Sequence, residues 1–546
     1  MRIIYFFVTL LFIFSCSDTN RQGVVSNVFR YNESVGVGSL DPAKARTKSQ
    51  IWPVHQLFNG LVQMDDSLNV VACIAKNWEI SDDGLSYTFH LRNDVSFHNH
   101  EVFPEGKGRI VTAFDFVYSF RRILDPEISS PGRWVFQHIS DKNPIYPDGF
   151  YALNDSTLKI ELKEAFSPFL SLLSIPYCYV VPKEVCEFEK ENFGRNPVGT
   201  GPFRFKLWRE DEKLIFVKND NYFEKDENGQ RYPYLDGVVI SFIKDKQSEF
   251  MEFLLGNLDL LSGVHPSYKD ELLTRSGDLN PKYKDEFQLN SQAYLNTEYL
   301  AFLVDPELSD SLKNPLLNIN VRKAINYGFD RKKMIKYLRN NIGEPALKGM
   351  VPTGMPLYNQ SDINGYHYNH DTALHFLNKA GYPKGQGLGI VELTTTADYL
   401  DLCEYIQFEL QKIGIEIKLD LSTGAAFRNL VANSNLDFFR ASWIADYPDP
   451  ESYLSLFYTG NFSPAGPNYT HFSSPGYDSL YVLSNRIQDI ETRERILFQM
   501  DQMIIDNAVI VPLYYDQVLR FTPLCIENFP TNPLNLIKLK SVRKKE

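Results

Sequence analysis

The spacing of apolar residues in the second half of the chain alternates between a period of about two, typical of strands, and about 3.6, typical of helices. The predicted strands lie at 299–304, 390–394, 416–421 and 436–443. The predicted helices lie at 321–329, 331–338, 371–379 and 400–413, followed later by a helix at 490–505 and a buried strand at 509–515. Because short turns join these elements, their order predicts βαβ units and a sheet that contains parallel strands.

The first half of the chain contains shorter and more irregular patterns. A hairpin is predicted at 78–92, where Asp83-Gly84 marks the turn and apolar residues alternate with polar ones. A helix is predicted at 113–124 with Thr112 as its N-cap. A glycine-rich turn at 198–203 leads into a strand at 204–208, but its spacing differs from that of a phosphate loop. These patterns predict an α/β fold of more than one sheet.

The predicted strand at 436–443 ends in the segment with the clearest functional chemistry. Trp443 closes the apolar run, and Asp446 follows in a turn that Pro448 and Pro450 stiffen. Ligands of open α/β sheets gather beyond the carboxyl ends of strands, and an indole beside a carboxylate suits a cationic group. A second interpretation stays open, because an aspartate among prolines often bonds its own backbone as a turn former.

The N-terminus predicts export. Arg2 precedes an apolar run at 3–14 that is too short to span a bilayer but has the length of a signal-peptide core. The run ends at Ser15-Cys16, which resembles a bacterial lipoprotein signal. We therefore expect a signal peptide at 1–15 and a tether at 16–23 whose lipidated Cys16 anchors the protein to a bacterial membrane, on its periplasmic or cell-surface face.

Composition and charge exclude several other classes. The chain has 546 residues, of which 43% are hydrophobic and 23% charged, as in ordinary globular proteins. A net charge of -12 argues against a nucleic-acid partner, and the lysines and arginines from Lys538 onward are interpreted as a solvated tail. Two common hydrolase signatures, G-x-S-x-G and H-E-x-x-H, are absent, and no catalytic residue, metal ligand or cofactor is predicted. Cys178 and Cys186 are either a disulfide or two buried thiols.

Seven ordered motifs carry a resemblance to a known family: Leu40-Asp41-Pro42, Leu57-Phe-Asn-Gly-Leu61, Tyr87-Thr-Phe-His-Leu-Arg92, Thr112-Ala-Phe-Asp-Phe-Val-Tyr118, Val198-Gly-Thr-Gly-Pro-Phe203, Val321-Arg-Lys-Ala-Ile325 with Asp330-Arg331, and Trp443-Ile-Ala-Asp-Tyr-Pro-Asp-Pro450. In this order they resemble the family 5 extracellular solute-binding proteins, which include the oligopeptide- and dipeptide-binding receptors of ABC importers. The likeness covers roughly residues 28–523.

The resemblance implies a two-lobed periplasmic-binding-protein clamshell of type II, cluster C, with an extra domain and mixed sheets flanked by helices. The first lobe would be discontinuous, at 24–58, 184–296 and 517–546; the extra domain would lie at 59–183 and the second lobe at 297–516. Such a protein is a monomer without enzymatic activity. It closes around a short peptide and delivers it to the permease subunits of an ABC transporter.

The resemblance also implies roles for individual residues. Asp446 would pair with the peptide α-ammonium, with Trp443 beside it and Tyr447 following in the same loop. The backbone at Ser442 and Ile444 would hydrogen-bond an extended peptide. Arg440 would meet the ligand carboxylate, although in a regular strand Arg440 and Trp443 face opposite sides.

Two departures from the family pattern leave the peptide length open. Arg46 stands where the oligopeptide receptor has an acid, and Gly132-Arg133 stands where it has a tyrosine. The alternatives are the same fold with a non-peptide ligand, such as an oligosaccharide or a metal chelate, and a secreted hydrolase.

Overall fold

The computed structural model describes residues 27–141, 148–265, 267–309 and 314–545. The predicted signal peptide and Cys16 lie outside these ranges. Within the described ranges, no helix is both long enough and apolar enough to cross a membrane.

The N-terminal sheet has four strands in the order Val28–Asn32, Gly237–Ser241, Lys213–Lys218 and Phe203–Arg209. The first pair is parallel and the other pairs are antiparallel. The helix Lys48–Leu57 packs beside this sheet, and the buried rings of Tyr31 and Trp52 meet edge to face. The predicted strand at 204–208 is therefore confirmed.

A second, antiparallel sheet has the order Ala75–Ile80, Ser86–Leu91, Thr157–Glu161 and Phe150–Asn154. Its first two strands are the predicted hairpin, and the helix Ala113–Leu124 covers one face with buried Phe116 and Phe120. That helix begins with a capping box, in which Thr112 and Asp115 bond each other's backbone. The hairpin and the helix are both where the pattern predicts them.

The large sheet has seven strands. In order across the sheet they are Leu261–Ser262, Ile510–Pro523, Phe287–Phe302, Phe438–Ile444, Ile390–Thr395 and Glu416–Leu421, with Glu344–Pro345 paired to Ile510–Pro523. The strand Ile390–Thr395 is parallel to both of its neighbours. This confirms the predicted βαβ pattern. Short two-stranded sheets join Val62–Met64 to Val70–Ala72 and Ile526–Glu527 to Arg543–Lys544.

Helices cover both faces of the large sheet and fill the space between the sheets. The remaining α-helices are Phe169–Leu172, Lys183–Glu189, Lys246–Leu254, Lys269–Leu272, Ile319–Tyr327, Arg331–Leu338, His370–Lys379, Leu400–Gln411, Gly424–Ala432, Glu451–Leu454, Pro475–Arg486 and Ile490–Asp506. Cys178 and Cys186 are buried free thiols, so the disulfide alternative is wrong for this structure.

Two long antiparallel strands, Phe287–Phe302 and Ile510–Pro523, run through the middle of the molecule. Their pairing is regular from Phe287 to Ala293 and resumes at Thr297, with a register shift between the two. One half packs beside Phe250 and Phe253, whereas Leu300 and Phe302 lie in the core around the helix Ile319–Tyr327. The predicted domain division stays a prediction.

The segment 59–183 also contacts residues that follow the strand Phe438–Ile444 in the chain. Ser167 donates from its backbone N–H to the carbonyl of Asn485 at 2.8 Å and from its hydroxyl to the carbonyl of Ile487 at 2.7 Å. The ring of Trp134 stacks on that of Tyr447, with centroids 6.2 Å apart. These contacts connect the second sheet and its helix to the elements that follow the strand Phe438–Ile444.

Candidate ligand-binding site

A cavity of about 670 Å³ lies where the helix Lys48–Leu57, the segment 131–177, the loop after the strand Phe438–Ile444 and the C-terminal segment meet. Its volume falls in the usual range for small-molecule sites. The wall carries a ring of aromatic and apolar side chains with a few charged groups among them: Trp52, Met64, Trp134, Ile175, Tyr177, Tyr294, Ile444, Leu534, Arg46, Lys48, Lys538 and Asp446.

Asp446 lies on this wall, two residues beyond the end of the strand Phe438–Ile444. Its carboxylate faces the cavity, and among the described residues no cationic side chain lies within 4.0 Å of it. Asp446 is exposed to the open cavity, but the protein packed around it disfavours the charged form and raises the pKa of Asp446 to about 6. An acid held in this way, with no counter-ion, is suited to a cationic ligand group.

Asp449, not Asp446, is the turn former of this loop. Its carboxylate accepts the N–H of Glu451 at 2.9 Å and a bidentate pair from Arg493 at 2.7 and 2.8 Å. The backbone N–H of Asp446 instead donates to Ser452 Oγ at 3.2 Å. Asp449 is therefore the residue that forms the turn in the proline-rich segment. The Asp446 side chain does not take part in the turn and is available to the cavity.

A buried network lies beneath the loop. Tyr447 and Tyr481 both donate to the carboxylate of Glu451, and burial raises the pKa of Glu451 against the opposing effect of these two hydrogen bonds. The Tyr447 ring stacks on Trp134, which itself lines the cavity, and both belong to the same hydrophobic core. Tyr447 thus supports the loop from below and does not line the cavity wall.

Arg440 lies on the strand Phe438–Ile444, and its guanidinium is already paired with an acid of the protein. It forms a buried ion pair with Glu298 on the neighbouring strand, and its guanidinium stands 3.3 Å from the centre of the Tyr399 ring. It does not line the 670 Å³ cavity. The role predicted for Arg440 stays a prediction, and in this conformation a ligand carboxylate would have to compete with Glu298.

Trp443 and Ser442 occupy the end of the same strand and are half-buried. Trp443 Nε1–H points to Ser452 Oγ at 3.5 Å, the same hydroxyl that accepts from Asp446. Ser452 was not predicted, because a serine six residues beyond Asp446 carries no signal until the turn brings it back. It connects the indole to the loop that carries the acid.

One edge of this strand is open. Residues Asn296–Phe302 pair with it along one side, while on the other side the strand Ile390–Thr395 reaches it only through Thr394 and Phe439. In the described chain, no further strand pairs with residues 440–444 on that side. The backbone groups of Ser442 and Ile444 on this side are therefore free of strand pairing and accessible to an extended ligand chain.

The C-terminal lysines are not a solvated tail, so that prediction is wrong. Lys538 lines the cavity with a side chain only 12% exposed, bonded to Asp66 and to the carbonyl of Met64. Lys540 pairs with Glu224, and Lys544 pairs with the buried Asp259 at 2.8 Å. The partners lie hundreds of residues away, so the local sequence could not reveal them.

His55 contributes a neutral polar group to the wall. Burial lowers the pKa of His55 to about 3, and its Nδ1 lies 2.6 Å from the hydroxyl of Tyr179. Among the residues that the structure describes, no group of three or more histidines, cysteines or acids could hold a metal ion.

A cavity between separate sheets, with an acid at the end of a strand whose edge is open, defines a protein that binds a solute between lobes. The chain belongs to the bacterial extracellular solute-binding proteins of family 5, whose model matches residues 69–464. Members of this family have the two-lobed type II periplasmic-binding-protein fold, which the structural comparisons confirm for this chain. They bind solutes without chemical conversion, so the chain is not an enzyme.

Three relatives illustrate the similarity. The chain is 29% identical over 525 residues to the heme-binding protein A of Haemophilus influenzae, covering 93% of this chain and 90% of that protein. It is 26% identical over 524 residues to the dipeptide-binding protein DppE of Bacillus subtilis, covering 92% and 89%. The structure of DppA from Helicobacter pylori in complex with the peptide STSA matches with a TM-score of 0.75 at 25% identity, covering 95% and 98% of the two chains.

Proposed function

We propose that this protein is a lipid-anchored receptor that captures short peptides in the 670 Å³ cavity and delivers them to an ABC-type importer. The observation that carries the proposal is Asp446: a carboxylate on the cavity wall, at the end of an open-edged strand, with no counter-ion among the described residues. A peptide can complement both features: its α-ammonium pairs with the acid, and its backbone hydrogen-bonds the open edge of the strand.

The proposed binding sequence uses the chain's own groups in order. The α-ammonium meets Asp446, and the main chain of the peptide bonds the backbone at Ser442 and Ile444. Trp443 holds the loop through Ser452, and Tyr447 supports it from the core. The lobes then close over the ligand, and the closed state is favoured because only it contacts the peptide on both sides.

The relatives support a peptide and also supply one alternative. The names of the DppE and DppA relatives specify peptides, whereas heme-binding protein A is named for a metal chelate. A neutral oligosaccharide would leave the Asp446 carboxylate desolvated and unpaired, which is unfavourable. Asp446 therefore favours a ligand that brings a cation into the cavity.

The direct test is to identify the ligand that the protein itself retains. Protein produced without its first 21 residues would be purified, and the ligand released by mild denaturation would be identified by mass spectrometry. We expect short peptides with free N-termini. Recovery of a sugar, or of heme with no peptide, would overturn the peptide assignment.

The affinity for free-amino peptides should fall as the pH drops through about 6. The pKa of Asp446 is about 6 in the empty cavity, and a bound ammonium would lower it, so peptide binding below that pH must displace a proton. Only the carboxylate binds an α-ammonium, so protonation of Asp446 lowers the affinity by up to about tenfold per pH unit below pH 6. A separate decrease begins at about pH 8, where the α-ammonium of the peptide loses its proton. The decrease on the acid side is the one that depends on Asp446. Calorimetry from about pH 4.5 to 8 measures this dependence, and Asp446→Asn should abolish it.

The lipid anchor is the second part of the proposal, and it rests on the Ser15-Cys16 signal. Cys16→Ser in the full-length chain should move the protein from the membrane fraction to the soluble fraction of a bacterial host, because no lipid can be attached. Cys525→Ser is the matched control and should leave the protein in the membrane fraction. Membrane retention of the Cys16→Ser protein would contradict the anchor.

A further inference from the structure

The charged groups on the cavity wall are unbalanced. Of the charged side chains that line it, Arg46, Lys48 and Lys538 are cations and Asp446 is the acid. A peptide α-ammonium would neutralise Asp446 and leave the cations to the rest of the ligand. Counted among the lining residues alone, the wall therefore has three cations and one acid.

Two of these cations already have partners. Lys538 bonds Asp66 at 2.8 Å and the carbonyl of Met64 at 2.9 Å. Lys48 lies 4.0 Å from Glu33 and 4.3 Å from the centre of the Trp52 ring. Both have part of their charge compensated before any ligand arrives.

Arg46 differs from them. Within the described chain, no acid lies within 4.0 Å of its guanidinium, and its only side-chain-linked hydrogen bond runs from the Arg46 backbone N–H to Gln50 Oε1 at 3.1 Å. It directly precedes the helix Lys48–Leu57, whose N-terminal end adds positive potential. Arg46 is thus a cation on the cavity wall with all of its side-chain donors available.

Arg46 and Asp446 act on the same part of the cavity. Tyr177 lines the wall, and its pKa is raised to about 12, chiefly by burial and next by the charge of Asp446, while the charge of Arg46 opposes the rise. Both charges therefore act on the same tyrosine of the cavity wall, and they lie more than 4.0 Å apart, because no ion pair joins them. A ligand with an ammonium group and a carboxylate can bridge the gap between them.

We propose that Arg46 is a specificity-determining residue that receives a carboxylate of the bound peptide, so that the receptor selects peptides with an anionic group beyond the N-terminus. This inference rests on the proposed function. The guanidinium fork matches a carboxylate in a bidentate arrangement, which lysine cannot reproduce.

The carboxylate can have two sources. In a short peptide it is the α-carboxylate; in a longer one it is an acidic side chain. Arg46 and Pro131 also line a neighbouring, more open cavity of about 650 Å³, which provides room for a chain that continues beyond Arg46. Both sources share the same chemistry at Arg46.

Calorimetry with four synthetic peptides separates the sources. Ala-Ala and its C-terminal amide differ only in the α-carboxylate, whereas Ala-Glu-Ala-amide and Ala-Gln-Ala-amide differ only in an acidic side chain. Each would be titrated into the wild type, Arg46→Ala, Arg46→Lys and the control Arg209→Ala, an exposed arginine on the N-terminal sheet. Circular dichroism would verify that each variant is folded.

We expect Arg46→Ala to weaken binding of the anionic member of at least one pair by roughly 10- to 100-fold, while the uncharged member changes by less than about twofold. Arg46→Lys should recover only part of the loss, and Arg209→Ala should change nothing. The pair that responds identifies the source of the carboxylate. Equal affinities of the wild type and Arg46→Ala for all peptides would overturn this inference alone, whereas no peptide binding to the wild type would overturn the proposed function with it.

Discussion

Asp446→Asn is expected to weaken binding of free-amino peptides by about 2 to 5 kcal/mol, the usual effect of truncating one partner of a desolvated charge pair. The asparagine keeps the size of the side chain and the backbone bond to Ser452, so the change removes the charge and little else. Titration calorimetry of the wild type and the variant, with the same peptide at about pH 7.5, measures the difference.

Two controls make this result specific. An N-acetylated peptide has no ammonium group, so its affinity should be low for the wild type and nearly the same for Asp446→Asn. Asp371→Asn removes an acid that is 99% exposed at the start of the helix His370–Lys379 and should have no effect. Equal affinity of the wild type for the free and acetylated peptides would refute the pairing of Asp446 with an α-ammonium.

The place of Asp446 could be predicted because every signal for it is local. Three signals are visible in the sequence: the apolar run of the strand Phe438–Ile444, the prolines that follow it and the βαβ order that precedes it. Together they predict a loop at the carboxyl end of a sheet strand. The sequence left open whether an aspartate in this loop forms the turn or faces a ligand. The structure divides the two roles between Asp449 and Asp446.

The central strands were predicted too short for a physical reason. The strand Phe287–Phe302 begins twelve residues before the predicted position 299, and Ile510–Pro523 continues eight residues beyond the predicted 515. Buried polar residues such as Asn296 and Glu298 interrupt the apolar alternation; the Asn296 amide donates to Asp516, and Glu298 pairs with Arg440. A hydrophobicity pattern cannot detect polar residues that are buried together with polar or charged partners.

The cations of the cavity wall were not predicted because their positions depend on contacts between segments that are distant in the sequence. Arg46 was noted as a departure from the family, but its position on the cavity wall depends on contacts between segments far apart in the chain. Lys538 lies next to Met64 and Asp66 only in the folded molecule. The sequence thus predicts the acid that we propose as the ligand's anchor, whereas the positions of the cations on the cavity wall become visible only in the tertiary structure.

Arg493→Met is expected to lower the free energy of unfolding by about 3 to 5 kcal/mol, because it leaves a buried carboxylate without its partner. Asp449 and Arg493 form a bidentate pair at 2.7 and 2.8 Å, with side chains only 11% and 13% exposed. Urea unfolding followed by circular dichroism measures the loss. Arg495→Met, an exposed arginine on the same helix Ile490–Asp506, is the matched control and should change stability little.

The double variant Asp449→Asn/Arg493→Met separates loss of the ion pair from loss of the turn. It removes the stranded charge, while the amide oxygen introduced by the Asp449→Asn change can still accept the N–H of Glu451, so part of the stability should return. Peptide affinity should follow the same order, because the turn that Asp449 holds also carries Asp446 three residues earlier. If Arg493→Met were as stable as Arg495→Met and bound peptide as the wild type does, the ion pair would have no role in holding the loop, and the position of Asp446 would have to depend on the Tyr447–Glu451 network and on Ser452.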